Sequence, residues 1–477
     1  MQAIKNSMIY QLYLRLTLFF RGQWENSGFV RWLTGKRTPA GGKLSQAGAW
    51  LRGRLLALFH ALHLDRLLQG SVFLHPAVFA FGAVLLAPLC PTMVSLGLVC
   101  ASFFSLVVRL GAQREFTVER SPISGYVLLY GGVYLYATVT STDVAGSLFP
   151  GLLTVLFVVF ALVIAACAPT EKQLRWLLFG MVLVGVAISG YGFYQKMNPA
   201  YFRSVWTDED MFSAISFRVY STLENPNVLG EYFLLLIPVG AAMALTAKGW
   251  KKAPYLAACA LMGVCLILTY SRGCYLGLLF AAAVFLVLLD RRFLVLGIIA
   301  VVLSPLYLPE SVLERFTSIG NLGDTSTSYR VSIWMGTLAM LKHYWFCGIG
   351  PGSGAFNKVY PEYAYNAITA PHSHNLFLQI TCDTGVCGLL VFLLLLVAYY
   401  RMMFTALAGR PRREIKILQI ANVSAVTGFL VQSMTDYTFY NYRVLLLFWA
   451  TLGLGVVLSR MGKDTPAPEA SPQEVQP

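Results

Sequence analysis

A succession of twelve apolar runs limits this chain more than any other feature. They centre on residues 72–90, 92–111, 122–140, 148–168, 174–194, 228–246, 254–270, 274–289, 293–308, 376–400, 417–434 and 443–460. A helix needs about 20 apolar residues to cross a bilayer, so the sequence predicts an all-α, polytopic transmembrane bundle of about 12 spans. The composition agrees: 57% of the residues are hydrophobic and 12% charged, where soluble proteins carry about 25% charged residues.

The formal charge of +14 does not point to nucleic acid, because the cations lie between apolar runs, where they set orientation. From a cytoplasmic N-terminus, the internal loops carry Arg114 and Arg120, Lys172 and Arg175, Lys248, Lys251 and Lys252, then Arg291 and Arg292. The last internal loop holds Arg401, Arg410, Arg412, Arg413 and Lys416, whereas residues 141–147, an outer turn, have no cation. Residues 195–227 and 309–373 then fall outside the cytoplasm, with the turns that bear Arg272 and Asp436.

Three regions are expected on this basis. Residues 1–70 hold ten Lys/Arg against Glu25 and Asp65 and read as a basic, amphipathic segment on an anionic cytoplasmic leaflet. No cleavable signal peptide is evident there: Arg15 interrupts the first apolar stretch, and no small-residue cleavage pattern follows. Residues 71–462 form the membrane domain, with a large extracytoplasmic loop at 309–373. Residues 463–477, rich in proline, read as a disordered cytoplasmic tail. The nine cysteines form no CxxC pair and read as small apolar residues rather than a disulfide framework or metal site.

A loop as long as 309–373 should contain short helices of its own. Residues 328–343, with Val331, Trp334, Leu338 and Leu341 at helical spacing, are the best placed. Gly348, Gly350, Gly352 and Gly354 follow, interrupted by Pro351. Such a stretch cannot continue a helix and should turn, letting backbone approach a ligand closely.

Four polar features gather on the outer side in this topology. Arg272 is wedged between two apolar spans, where an arginine is either functional, paired or an interfacial anchor; its planar fork suits a diphosphate. Arg330 opens the expected loop helix and reads equally as a solvated charge. Arg218 leads into Asn225, Pro226 and Asn227, which look like a turn and a helix start. His372 and His374 end the long loop, and a neutral imidazole there can take a proton from a hydroxyl or simply cap the loop. Two histidines at this spacing are poor evidence for zinc, His343 being the only other histidine in that loop. No metal or other cofactor is expected.

At this point the motifs carry a resemblance. His374-Asn375, nine residues, Gly385, two residues and Gly388 reproduce a pattern of the O-antigen ligase family of bacterial membrane glycosyltransferases. The segments RVYSTLENPNVLG from Arg218, TYSRG ending in Gly273, SYRVSIW from Ser328 and GIGPGSGAF from Gly348 also resemble that family, in its usual order. The resemblance implies a GT-C-like, metal-independent enzyme of the bacterial inner membrane that acts on its extracytoplasmic side. Its partners would be an undecaprenyl diphosphate-linked glycan donor, a glycan or lipid acceptor and membrane lipids. It also implies roles: His374 as the base on the acceptor hydroxyl, and Arg272 and Arg330 on the departing diphosphate. His372 would help to orient the loop or the acceptor. Arg218, Asn225 and Asn375 would be secondary, and Asp436 would bind sugar or pair with an arginine.

The same scaffold serves ligases, repeat-unit polymerases and protein O-oligosaccharyltransferases, which differ in their acceptor, and a ligase-like transfer is favoured here. A reading from another class is a transporter. Internal repeats and polar groups near the bilayer centre would mark one, and the sequence shows no clear repeat.

Overall fold

A computed structural model describes residues 27–33, 50, 53–54, 57–58, 60–63, 74–112, 121–167, 170–202, 217–306, 308–318 and 325–461. The expected tail at 463–477, and most of the amphipathic segment at 1–70, lie outside the described residues. The described residues form helices and connecting turns with no strand. The chain is an all-α, polytopic membrane protein.

Each of the twelve apolar runs is a helix. Nine of the described helices are long and apolar enough to cross a membrane. They are α2 (Thr92–Ala112), α4 (Val144–Ala166), α5 (Glu171–Met197), α6 (Pro226–Thr246), α7 (Lys252–Ile267, extended by the turn from Gly249), α8 (Arg272–Asp290), α13 (Leu376–Ala408), α14 (Arg413–Gln432) and α15 (Tyr442–Met461). The other three runs give shorter helices: α1 (Pro76–Leu86), α3 (Ser124–Val139) and α9 (Arg292–Val302). Their ends explain the difference from twelve full spans. Pro91 lies just beyond the turn that follows α1, α3 closes at the Thr140–Ser141 turn, and Pro305 stands in a short 3-10 turn directly after α9. The long loop contains the expected helices, α10 (Glu310–Thr317), α11 (Thr325–Tyr344) and α12 (Ser353–Val359).

Backbone contacts divide the chain into two compact units. The first consists of Met1–Ala168, Gly320–Tyr399 and Ser433–Gly453. Its centre is aromatic: Tyr130 of α3 lies 5.0 Å from Tyr134, 5.5 Å from Phe392 of α13 and 5.6 Å from Trp449 of α15. In a bilayer, helices gain little from excluding lipid and associate by close packing, which such flat, fully buried side chains supply. The second unit consists of Pro169–Ile319, Tyr400–Gln432 and Leu454–Pro477. There α8 and α14 meet through Gly277 and Gly428, where a Cβ on either would sit within 2.7 Å of the other's carbonyl oxygen. That is the small-residue contact that lets two membrane helices touch backbone to backbone.

In the first unit, α11 presents a different face from the one its spacing suggested. Ile333, Gly336, Thr337, Met340 and Leu341 are buried, while Leu338 is 53% exposed. The reason lies at Gly336, whose missing side chain admits the Tyr360 ring and the Tyr363 carbonyl. Tyr360, stacked on Phe356 at 4.8 Å, joins Ile333, Met340 and Ile349 in a single apolar cluster.

The glycine stretch turns, as expected. Gly348, Gly350 and Gly352 take positive φ of 74°, 100° and 98°, which glycine alone tolerates easily. What their backbone approaches is protein. Gly348 faces the carbonyl of Cys382 and the amides of Thr384 and Gly385, at a point where α13 is interrupted. Gly385 has φ 71° and ψ −177° inside that helix. The hydrogen bonds the break releases are taken up by the loop: Ile349 N–H donates to Cys382 O at 2.6 Å, Gly350 N–H to Asp383 O at 3.2 Å, and Val386 N–H to Trp345 O at 2.7 Å. Non-helical backbone at membrane depth persists only where protein satisfies it in this way.

Candidate active site

The first unit assembles its polar centre from three segments. The loop at 370–375 brings His372 and His374, the start of α11 brings Arg330, and the turn between α14 and α15 brings Asp436. Asn375 ties two of them together. Its Nδ2 donates to Met434 O at 2.7 Å while its Oδ1 accepts from Leu378 N–H, starting α13. Beside it, Leu376 N–H donates to Ser433 O at 2.9 Å. The His-Asn pair of the sequence pattern thus docks the histidine loop on the turn that carries Asp436.

His374 and Asp436 form the core. His374 Nδ1 lies 3.0 Å from Asp436 Oδ1, and Asp436 is 2% exposed. Burial by itself raises the Asp436 carboxyl. The hydrogen bond from His374 and the nearby Arg330 charge outweigh it and hold the group well below the usual carboxylate range. A carboxylate only accepts hydrogen bonds, so Nδ1 of His374 carries the proton and donates it to Asp436. Its Nε2 is left with a lone pair, on a side chain that is 20% exposed. The arrangement is the oriented imidazole of hydrolytic triads, in which an acid fixes the tautomer and supports the imidazolium that forms.

Surrounding contacts fix the ring. His374 has φ 49°, a left-handed conformation that costs a non-glycine residue about 1–3 kcal/mol and survives only where neighbours enforce it. They do: Trp334 Nε1–H donates to His374 O at 3.3 Å, and Tyr329 sits edge-on to the imidazole at 5.8 Å. His372 packs 4.3 Å from the His374 ring, stacked on Tyr440 at 5.0 Å. Its Nδ1 accepts the backbone N–H of His374. Burial, then the neighbouring His374 and Arg330, push His372 down to about 3, against the pull of Asp436. It is therefore a neutral packing and orienting group near neutral pH.

Arg330 lies 3.9 Å from Asp436 Oδ2 and donates to Ser326 Oγ at 3.0 Å. Its Nε is buried without a hydrogen-bond partner among the described residues. An unsatisfied buried donor on a guanidinium is costly, and an anionic oxygen is the natural group to meet it.

His372, His374 and Asp436 place potential ligand atoms within 4.8 Å of one another, so they offer three donors to a metal ion. Two of those atoms already engage each other, and the nearby Arg330 charge opposes a divalent cation.

Sequence reasoning missed the support beneath this loop. Ser373 N–H donates to Gln379 Oε1 at 2.8 Å, Gln379 Nε2 donates to Asp383 Oδ1 at 2.8 Å, and Tyr134 OH donates to Asp383 Oδ2 at 3.4 Å. The signal was there: a Gln and an Asp four residues apart in an apolar run share one helix face, and an acid within a span is by default a site residue.

The second unit holds the remaining expected residues. Arg272, the first residue of α8, donates from Nη1 to Ser318 O at 3.2 Å and to Ser318 Oγ at 3.1 Å. Arg218 donates from Nε to Thr269 O at 2.8 Å and from Nη2 to Asn227 Oδ1 at 3.1 Å, locking the 217–220 segment onto the turn before Arg272. Asn225 caps α6, its side chain accepting from Asn227 N–H at 2.8 Å. Arg315 of α10, 5% exposed, is a further buried cation of this unit that periodicity did not single out.

Fold and site together define a polytopic membrane protein with an Asp-oriented histidine and a neighbouring arginine. Residues 257–393 match the family described as O-Antigen ligase, a likeness confined to that stretch. The matched stretch contains Arg272, Arg330, His372, His374 and Asn375 and ends before Asp436. A search of curated proteins finds no match.

Proposed function

We propose that this protein transfers an oligo- or polysaccharide from an undecaprenyl diphosphate carrier to an acceptor hydroxyl, in the manner of an O-antigen ligase and without a metal ion. The observation that carries the reading is the 3.0 Å contact between His374 and a carboxylate that keeps its charge. In the proposed step, His374 Nε2 takes the proton of the acceptor hydroxyl as its oxygen attacks the anomeric carbon. The bond from that carbon to the diphosphate oxygen breaks, and the electron pair leaves with the diphosphate. Asp436 supports the imidazolium that results.

Negative charge grows on the departing group, so fixed cations aimed at it lower the barrier. Arg330, whose Nε is buried without a hydrogen-bond partner among the described residues, is assigned to the diphosphate, and the resemblance implies the same chemical role for Arg272. His372, Arg218, Asn225 and Asn375 are placed as supporting residues that shape the loops around donor and acceptor. The reaction is assigned to the extracytoplasmic side on the charge asymmetry of the loops, with all twelve apolar helices counted as crossings, and to a bacterial inner membrane on the family resemblance.

The test is to incubate purified full-length protein with a polyprenyl diphosphate-linked glycan and candidate acceptors, with and without a chelator. Glycan appearing on a lipid-core acceptor, unchanged by the chelator, supports the proposal. Activity that disappears with chelation and returns with a divalent ion overturns the metal-free assignment. Elongation of the donor's own glycan alone would make the protein a polymerase.

A further inference from the structure

One end of the second unit collects charge to an unusual degree. The start of α5, the end of α6, the start of α7 and the start of α14 bring Lys172, Arg175, Lys248, Lys251, Lys252, Arg412, Arg413 and Lys416 there, against Glu171 and Glu414. Glu171 is already neutralised, paired with Arg412 at 2.6 Å and with Arg175 at 3.1 Å. Between the end of α6 and the start of α14 lies a half-open cavity of about 250 Å³. Lys248, Lys252 and Arg413 line it with one acid, Glu414, over a floor that includes Leu245 and Ile417. None of these three cations enters an ion pair among the described residues.

We propose that this cavity binds the phosphate-bearing headgroup of an acidic phospholipid from the cytoplasmic leaflet. Three observations choose that ligand. The cavity's charge is positive on balance, and basic pockets between membrane helices on the cytoplasmic side are the known form of acidic headgroup sites. Its volume falls below the roughly 300–1,000 Å³ usual for drug-sized ligands, which suits a phosphodiester and its first carbons rather than a glycan. Aromatic side chains mark the membrane surface beside it. Trp250, two residues after Lys248, is 80% exposed, and Trp176 of α5 is 63% exposed and edge-on to Phe179, which meets Tyr255 of α7. Exposed tryptophans of this kind sit at headgroup level, and the Lys/Arg excess faces the anionic inner leaflet. The acyl chains would then lie along the apolar flanks, with only the phosphate drawn inward. The site is separate from the histidine centre, and its test does not depend on glycosyl transfer.

The test uses the purified full-length protein in non-ionic detergent and three probes: dioctanoyl phosphatidylglycerol, dioctanoyl phosphatidylcholine and inorganic phosphate. Native mass spectrometry reads the bound lipid, and phosphate is tested as a competitor. The wild type should bind phosphatidylglycerol well above phosphatidylcholine, and excess phosphate should displace it poorly. The triple variant Lys248→Gln, Lys252→Gln, Arg413→Gln should bind it about 100-fold more weakly, from about fivefold per cation near an anionic surface. Equal binding of the two lipids, or wild-type affinity in the triple variant, overturns the proposal. Displacement by millimolar phosphate overturns the lipid assignment in favour of a free anion. If the triple variant does not fold, the salt dependence of wild-type binding decides: weakening as salt rises is expected, and salt-independent binding overturns the charge-based site.

Discussion

At the scale of single residues, the account rests on Asp436 keeping His374 in one tautomer. His374→Ala should abolish transfer while the protein still accumulates in the membrane. Asp436→Asn should be more informative, because it keeps the shape and removes the charge that supports the imidazolium. The turnover number should fall by about 10²–10⁴, the range of general base catalysis, with KM little changed; a variant with wild-type turnover would take the carboxylate out of the mechanism. His372 gives a pH test. Its folded pKa of about 3 lies below the ordinary 6.5, so the unfolded chain binds the extra proton between those values, and stability falls as pH drops through that window. Asp436, also lowered, adds a loss only further down, below the ordinary carboxylate value. Thermal midpoints should therefore decline from pH 6.5 towards 4 in the wild type, and decline less in His372→Asn. Histidines 372 and 374 and the arginines were legible in the sequence as chemical types. The pairing of His374 with Asp436, 62 residues apart, was not, because it is made by Asn375 and Leu376 gripping a distant turn.

At the scale of elements, the break in α13 decides whether the histidine loop has a floor. Gly385 occupies a region of φ and ψ open essentially to glycine, and a Cβ there would strike the Phe346 carbonyl. Gly385→Ala should cost more than about 3 kcal/mol and remove folded protein from detergent extracts, whereas Gly354→Ala, at a residue without positive φ, should be milder. Here the fixed spacing from His374 to Gly385 and Gly388 has a physical reason. One turn of helix carries Gln379 beneath Ser373, the next carries Asp383 beneath Gln379, and the glycine then releases carbonyls for the loop at 345–350. The spacing was visible as a pattern, but its cause was not, since a sequence does not say which backbone a glycine lets near. The same holds for α11. Periodicity found the helix, yet Gly336 and the rings packed against it chose the buried face.

At the scale of the whole molecule, the all-α membrane architecture was legible from hydropathy alone, because a bilayer leaves so few alternatives. The number of full-length spans was harder to read: three runs end at a proline or a polar turn before reaching spanning length. The orientation assigned by loop charge predicts that a cysteine placed at Pro371, in a background lacking exposed native cysteines, reacts with an impermeant reagent from outside the cell. Arg272→Lys, which keeps charge but loses the planar fork, should depress transfer strongly, and near wild-type turnover would reduce that residue to an anchor. The most direct measurement is the transfer reaction itself, run with purified wild type and His374→Ala on a polyprenyl diphosphate-linked glycan with a hydroxyl-bearing acceptor. The account predicts glycosylated acceptor and released polyprenyl diphosphate in equal amounts with the wild type, and neither with the variant. Product formed equally by both proteins would contradict it.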